Sequence, residues 1–235
     1  MEYKATIEEE NKEIAKRYKN LLKETYQTLS RSDKLLIRKA FNLSVEAHSN
    51  QRRKTGEPYI FHPISVAKIV ANEIGLGAVS IVAALLHDVV EDTKYTINDI
   101  EQLFGETVAR IVSGLTKISS LKKDKDHSIQ AENFRKMLLT LHDDVRVILI
   151  KVADRLHNMQ TMDAMPAHKQ VKIASETLYI YAPLAHRLGL YNIKTELEDL
   201  GLKYTEPEVY NDIVSKISES KEDQDNYIKT FEKIL

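Results

Sequence analysis

The 235-residue sequence contains no cysteine. That excludes disulfides, thiolate nucleophiles and Cys-type zinc sites, and it fits a reducing, cytoplasmic setting. Glycine and proline are scarce, seven and five residues respectively, so turn material is limited. The net charge is only −1 at pH 7, which leaves no global field to draw in nucleic acid or anionic lipid. Any phosphate must therefore be met by a local basic cluster. The longest apolar run, around Val79 to Leu86, falls far short of the roughly 20 residues that span a bilayer. The opening MEYKATIEEENKE is acidic and polar, unlike a signal or transit peptide.

What is present is an ordinary globular composition, 43% hydrophobic and 29% charged, enough for one sizeable domain or one domain with an appendage. The apolar residues recur at helical rather than alternating spacing, so the expected class is all-α. Helices are expected over residues 7–27 and 33–49, the second capped by Ser32 and buried along Leu36, Ala40, Leu43 and Ala47. QRRKTGEPYIFH reads as a loop, and Pro63 suits the first turn of a helix ending near Gly75. A continuous helix is expected from Val79 to Asp92. The next begins at a Thr96 cap, with Asp99 three residues on and Gly105 as its stop. Further helices are expected at 106–117, 128–141 and 143–162, with LKKDKDHS as a charged connector. Beyond Lys169, more helices are punctuated by Pro183, Gly189, Gly201 and Pro207.

The stretch VSIVAALLHDVVEDTK raises a chemical question, because a core helix ends in one imidazole and three carboxylates. On an unbroken helix His87, Asp88, Glu91 and Asp92 share one face, with small Ala84 one turn above. Clustered acids repel one another and become costlier as they are buried, so they need a neutralising partner. One answer is that the helix end simply meets solvent; a divalent cation is the other. DVRVILIKVADRLHNMQT supplies a second clue, since Asp154 sits mid-way along a strongly apolar helix with Asn158 and Thr161 on its face. Lys151 and Arg155 flank that face, so an internal ion pair competes with a metal ligand as the explanation. His62, ahead of Pro63, is a third element. Two imidazoles and two carboxylates, His62, His87, Asp88 and Asp154, suit Mn²⁺, Fe²⁺ or Zn²⁺ better than a purely oxygen-seeking ion. Four such ligands on a six-coordinate ion leave positions for water and a phosphate oxygen, and Glu91 and Asp92 stand near enough to handle a proton.

The order His62, then His87-Asp88, then the distant Asp154 resembles the signature of the HD-domain metal-dependent phosphohydrolases. The surrounding QRRKTGEPYIFHP, LLHDVVEDT, GLTKI, QAENFRKML, RVILIKVADRLHNM and IYAPLAHRLGL are similar to the hydrolase half of the Rel/SpoT family, over about residues 25–210. That resemblance implies an all-α HD-domain helical bundle of about ten helices, spanning 1–200, with 201–235 as a connector toward an absent synthetase domain. It implies manganese held by His62, His87, Asp88 and Asp154, with Glu91 and Asp92 orienting or activating water. The reaction implied is hydrolysis of ppGpp or pppGpp to GDP or GTP and pyrophosphate. No synthetase activity is expected of this chain, and the native protein would continue into synthetase and regulatory domains.

In the family the Arg-Lys pair of the basic loop contacts nucleotide, which maps onto Arg53 and Lys54; Asn158 and Thr161 line the same pocket. A flat guanidinium at Arg53 can stack on a purine and Lys54 offers a point charge for phosphate. Thr55 and Gly56 let the backbone come close, and Lys151 and Arg155 can neutralise a polyanionic substrate. Gln160 departs from the family, where Arg often follows the HNM motif. His157 and His186 read as packing residues. Two rival functions follow from the same residues: an HD phosphodiesterase or nucleotidase for another nucleotide, and a catalytically silent regulatory module with a structural metal. Neither membrane nor nucleic acid is an expected partner.

Overall fold

The computed structural model describes residues 6–25, 28–121 and 144–232, with side chains for all of these except 118–121 and 222–232. The expected helix at 128–141 and the connector Leu121–Ser128, apart from Leu121 itself, lie outside the described residues. Among the described residues the only β feature is a single bridge between Arg52 and Pro58. Among the described residues all regular elements are helical, and no helix is long and apolar enough to cross a membrane.

The chain divides into two compact units, Met1–Ala164 and Met165–Leu235. The first contains α1 (Ile7–Glu24), α2 (Arg31–Ala47), α3 (Phe61–Asn72), α4 (Ala78–Leu85), α5 (Val89–Asp92), α6 (Ile97–Phe104), α7 (Glu106–Leu121) and α8 (Val145–Gln160), followed by a 3₁₀ turn at Met162–Ala164. Its centre is the pair α3 and α4. Every α4 residue from Ser80 onward is buried, as are most of α3. A helix apolar on all sides can only be stable when other helices surround it. Here α1, α4 and α8 pack on α3, while α2, α3, α7 and α8 pack on α4.

Local chemistry sets the ends. Thr6, Ser30 and Thr96 each form a reciprocal capping box with an acid three residues on, which satisfies backbone N–H groups the first turn leaves unpaired. The α2 cap is thus Ser30, not the expected Ser32. With the start moved, the buried stripe runs through Ile37, Ala40 and Ser44 rather than being centred on Leu36, Leu43 and Ala47. Gly105 ends α6 at φ 86, a backbone conformation open to glycine and strained for other residues. Gly114 has a different task. A Cβ there would lie 2.8 Å from Val147 Cγ2, so its bareness lets α7 approach α8.

The second unit holds α9 (Ala167–Glu176), a π-helical turn (Thr177–Tyr181), α10 (Ala182–Arg187), α11 (Tyr191–Thr205) and α12 (Pro207–Glu232). The π turn has an identifiable cause. Pro183 has no N–H and its ring would crowd the carbonyl four residues back, so the chain widens a turn and Ala182 N–H reaches Thr177 O.

Candidate metal and nucleotide site

The site lies within the first unit, where α3, the α4–α5 junction and α8 meet. The junction is the first point at which the structure departs from the sequence reading. The helix does not run unbroken from Val79 to Asp92; Leu86, His87 and Asp88 form a turn between α4 and α5. His87 Nδ1 donates to Ala84 O at 2.8 Å, taking the carbonyl that an unbroken helix would give to the Asp88 N–H. The break also turns two consecutive side chains toward one point. His87 Nε2 lies 2.9 Å from Asp88 Oδ2 and 3.9 Å from Asp154 Oδ1.

His62, in the first turn of α3, completes the cluster. Its Nε2 is 3.2 Å from Asp154 Oδ1 and 3.8 Å from Asp88 Oδ2. Ligand atoms of His62, His87 and Asp154 all fall within 4.8 Å of one another. His87 Nε2 is buried and has no hydrogen-bond partner, its close approach to Asp88 notwithstanding. An unpartnered buried ring nitrogen facing two carboxylates is the donor set a divalent cation satisfies. His62, His87 and Asp154 therefore turn two imidazole nitrogens and a carboxylate toward one another, with the Asp88 carboxylate beside the two rings.

Electrostatics agree with the geometry. Burial pulls the His87 imidazole down, but Asp88 at contact distance, with Asp154 beyond, outweighs it and raises the ring to about 9. Burial alone would raise both aspartates. His87 instead holds Asp88 well below the usual carboxylate range, and Lys151 with His62 and His87 does the same for Asp154. Both carboxylates are thereby held in the charged form.

Neighbours fix the two aspartates in place. Tyr59 OH donates to Asp88 Oδ2 at 2.6 Å, and burial followed by the Asp88 charge pushes the phenol far above its ordinary value, so it remains a donor. Asn158 Nδ2 donates to Asp154 Oδ1 at 2.6 Å. The sequence reading missed Tyr59, although its position three residues before His62 in a loop that turns back on itself was a usable signal. Lys151, expected to meet substrate, is 5% exposed and pairs with Asp154 Oδ2 at 3.2 Å. Arg155 is buried at 7% exposure. In this structure the two cations stand within the protein rather than at an open pocket wall.

The basic loop separates into three different residues. Arg53 N–H bonds Glu57 O and Tyr59 N–H bonds Gln51 O, folding the loop back on itself around Gly56 at φ 88. Arg52 pairs with Glu10 of α1, through NH2 to Oε2 at 3.0 Å and through NH1 to Oε1. Arg53 reaches α8, donating to Asn158 Oδ1 and Thr161 Oγ1. Lys54 is exposed. Thr55 is half-buried, and its Oγ1 has no hydrogen-bond partner.

Glu91 and Asp92 are exposed on α5, just beyond the metal cluster. Burial of the carboxyl, then the Asp88 charge, raises Asp92 above the usual carboxylate value. The end of α5 is tied down from α2: His48 Nδ1 lies 2.7 Å from Gln51 Oε1, and Gln51 Nε2 donates to the Asp92 carbonyl at 2.9 Å.

Residues 40–191 match a family model described as the HD domain. The chain is 52% identical over 174 residues to the bifunctional (p)ppGpp synthase/hydrolase SpoT of Escherichia coli K12, covering 74% of this chain and 25% of that protein. It is 47% identical over 195 residues to a guanosine-3′,5′-bis(diphosphate) 3′-pyrophosphohydrolase of Aquifex aeolicus, covering 83% and 27%. A GTP pyrophosphokinase of Myxococcus xanthus is 48% identical over 197 residues, covering 83% and 26%. The chain thus spans about a quarter of the length of these curated relatives. A solved structure described as a metazoan ortholog of SpoT that hydrolyzes ppGpp and plays a role in starvation responses superposes with a TM-score of 0.56 at 27% identity. That match covers 74% of this chain and 96% of the other.

Proposed function

The chain belongs to the HD domain family, and from that membership, its named relatives and its own site we propose that it is a divalent-metal-dependent (p)ppGpp 3′-pyrophosphohydrolase. The observation that carries this reading is the convergence of His62, His87, Asp88 and Asp154 beside Arg53, a loop guanidinium already held against the helix of a metal ligand. Manganese is our assignment, with Fe²⁺ and Zn²⁺ also compatible with the donor set. When bound, the ion supplies Lewis-acid polarisation of a phosphoryl oxygen and lowers the pKa of water.

The protein's own residues do the rest. Asp92, with its raised carboxyl, accepts a proton from the attacking water at a carboxylate oxygen, and Glu91 helps to orient that water. The new P–O bond forms at the phosphorus attached to the ribose 3′ oxygen. The P–O3′ bond breaks, the 3′ oxygen takes up a proton, and pyrophosphate departs from GDP or GTP. Arg53 stacks on guanine and Lys54 meets phosphate. Asn158, Thr161 and Thr55 line the pocket, while Lys151 and Arg155 offset the substrate's negative charge. We assign residues 1–200 to the hydrolase domain and 201–235 to a helical connector. A cytoplasmic setting accords with the absence of cysteine.

Release of pyrophosphate from ppGpp tests the reading. Turnover is expected with Mn²⁺, is abolished by chelator, and is lost in Asp88→Ala. Turnover that persists in chelator would overturn it.

A further inference from the structure

His157 sits three residues after Asp154 on α8, buried and outside the ligand set. Sequence reasoning makes it a packing residue. Its ring instead lies 4.9 Å, centroid to centroid, from that of His62, and the two Nδ1 atoms are 2.8 Å apart. Two imidazole nitrogens at that distance must share one proton: one ring donates and the other accepts.

The direction of that bond decides what His62 can do. A neutral imidazole carries its proton on one nitrogen and a lone pair on the other. If Nδ1 of His62 donates, Nε2 has a free lone pair toward Asp88, Asp154 and the cation position. With the roles reversed, His62 Nε2 carries the proton and cannot ligate. His87 solves the same problem with the Ala84 carbonyl, an acceptor with a fixed role. His62 Nδ1 instead meets another imidazole.

We propose that His157 is the positioning residue of the metal site, holding His62 in the Nδ1–H tautomer by accepting its proton at Nδ1 and so leaving Nε2 free for the ion. His157 suits the role because it is buried, lies outside the ligand set and turns its Nδ1 to His62 Nδ1 at 2.8 Å. Metal-ligating histidines generally depend on such an outer partner for tautomer and orientation. The proposal deepens the reading of His62 as a ligand and rests on it.

The test is a pair of variants and one spectrum. His157→Leu fills the space without an acceptor; His157→Asn places a carboxamide oxygen where Nδ1 was. Mn²⁺ affinity, measured by calorimetry on the otherwise intact chain, should fall about 10- to 100-fold in His157→Leu and stay within about threefold in His157→Asn. In the wild-type chain loaded with diamagnetic Zn²⁺, ¹⁵N-edited ring spectra should show His62 protonated at Nδ1 and His157 at Nε2. Unchanged affinity in a folded His157→Leu, or a Zn²⁺-loaded protein with the proton on His157 Nδ1, overturns the positioning role alone. A wild-type chain that takes up neither ion overturns the metal reading and the proposal with it.

Discussion

Arg53 and Asn158 are separated by more than a hundred positions in sequence, yet the guanidinium of the first meets the amide oxygen of the second through both terminal nitrogens, each at 3.3 Å. The amide nitrogen of Asn158 in turn donates to Asp154 Oδ1. With its oxygen engaged by Arg53, the carboxamide can present only its N–H₂ to the Asp154 carboxylate. The basic loop is thus linked through Asn158 to the carboxylate at the centre of the buried cluster.

Arg53→Ala should therefore impair ppGpp turnover more than general phosphate chemistry. Loss of charged hydrogen bonds worth about 1.5–3 kcal/mol predicts a rise in KM for ppGpp of roughly tenfold or more. Turnover of a simple aryl phosphate should change little. Steady-state kinetics with both substrates decide it, and equal losses on both would remove the nucleotide-recognition role.

Asp92→Asn should lower kcat for ppGpp by about 10²–10⁴-fold, the range for a positioned general base. Mn²⁺ binding should be retained, because Asp92 is not among the ligands. Equilibrium dialysis alongside single-turnover rates separates the two effects; a loss of Mn²⁺ binding would reassign Asp92 to the coordination set.

Acid sensitivity is expected from Asp144. Its carboxylate caps α8 by accepting from the Arg146 N–H at 3.1 Å and pairs with the Arg146 guanidinium. The Arg146 hydrogen bond holds Asp144 below its ordinary value. A carboxyl depressed in the folded state contributes stability fully above its unfolded pKa, about 3.9, and loses it as pH falls through the folded value. Asp144→Ala should cost about 1 kcal/mol at pH 7. In urea titrations the gap between variant and wild type should narrow below about pH 4. A gap that is constant down to pH 2.5 would show that the charge of Asp144 has no part in the cap.

The bare Cα of Gly114 against Val147 predicts a coupled pair. Gly114→Ala alone should destabilise, since overpacking a stiff β-branched neighbour costs about 1–3 kcal/mol against a helix-propensity gain of about 1 kcal/mol. In a Val147→Ala background the same change should become neutral or stabilising. Thermal denaturation of the four combinations gives the cycle, and additive effects would mean that α7 can shift to make room.

Much of this was legible from periodicity and spacing. The helical class, the Thr96 cap and the Gly105 stop follow from local chemistry that acts within a few residues. The break at Leu86–Asp88 was not legible, because the pattern from Val79 to Val90 is fully compatible with one helix. Only the demand of a buried ring and a carboxylate for a shared focus stops it there. The tripartite fate of Arg52, Arg53 and Lys54 was equally hidden: identical in charge, they differ by partners on α1 and α8 that no local rule foresees. His157 looked like filler for the same reason. Its partner lies 95 positions away.

The pairing of Arg52 with Glu10 has a practical corollary for where this domain begins. The family match starts at residue 40, after α1. Yet α1 supplies the buried Glu10 that anchors the basic loop through Arg52, and its Arg17 lies 3.9 Å above the ring of Phe61, the residue just before His62. Cutting the protein at the family boundary would strip the supports from behind both the loop and the start of the helix that carries His62 while leaving every signature residue in place. The smallest active piece of such a protein is delimited by its braces, and those can lie outside the stretch that sequence signatures recognise.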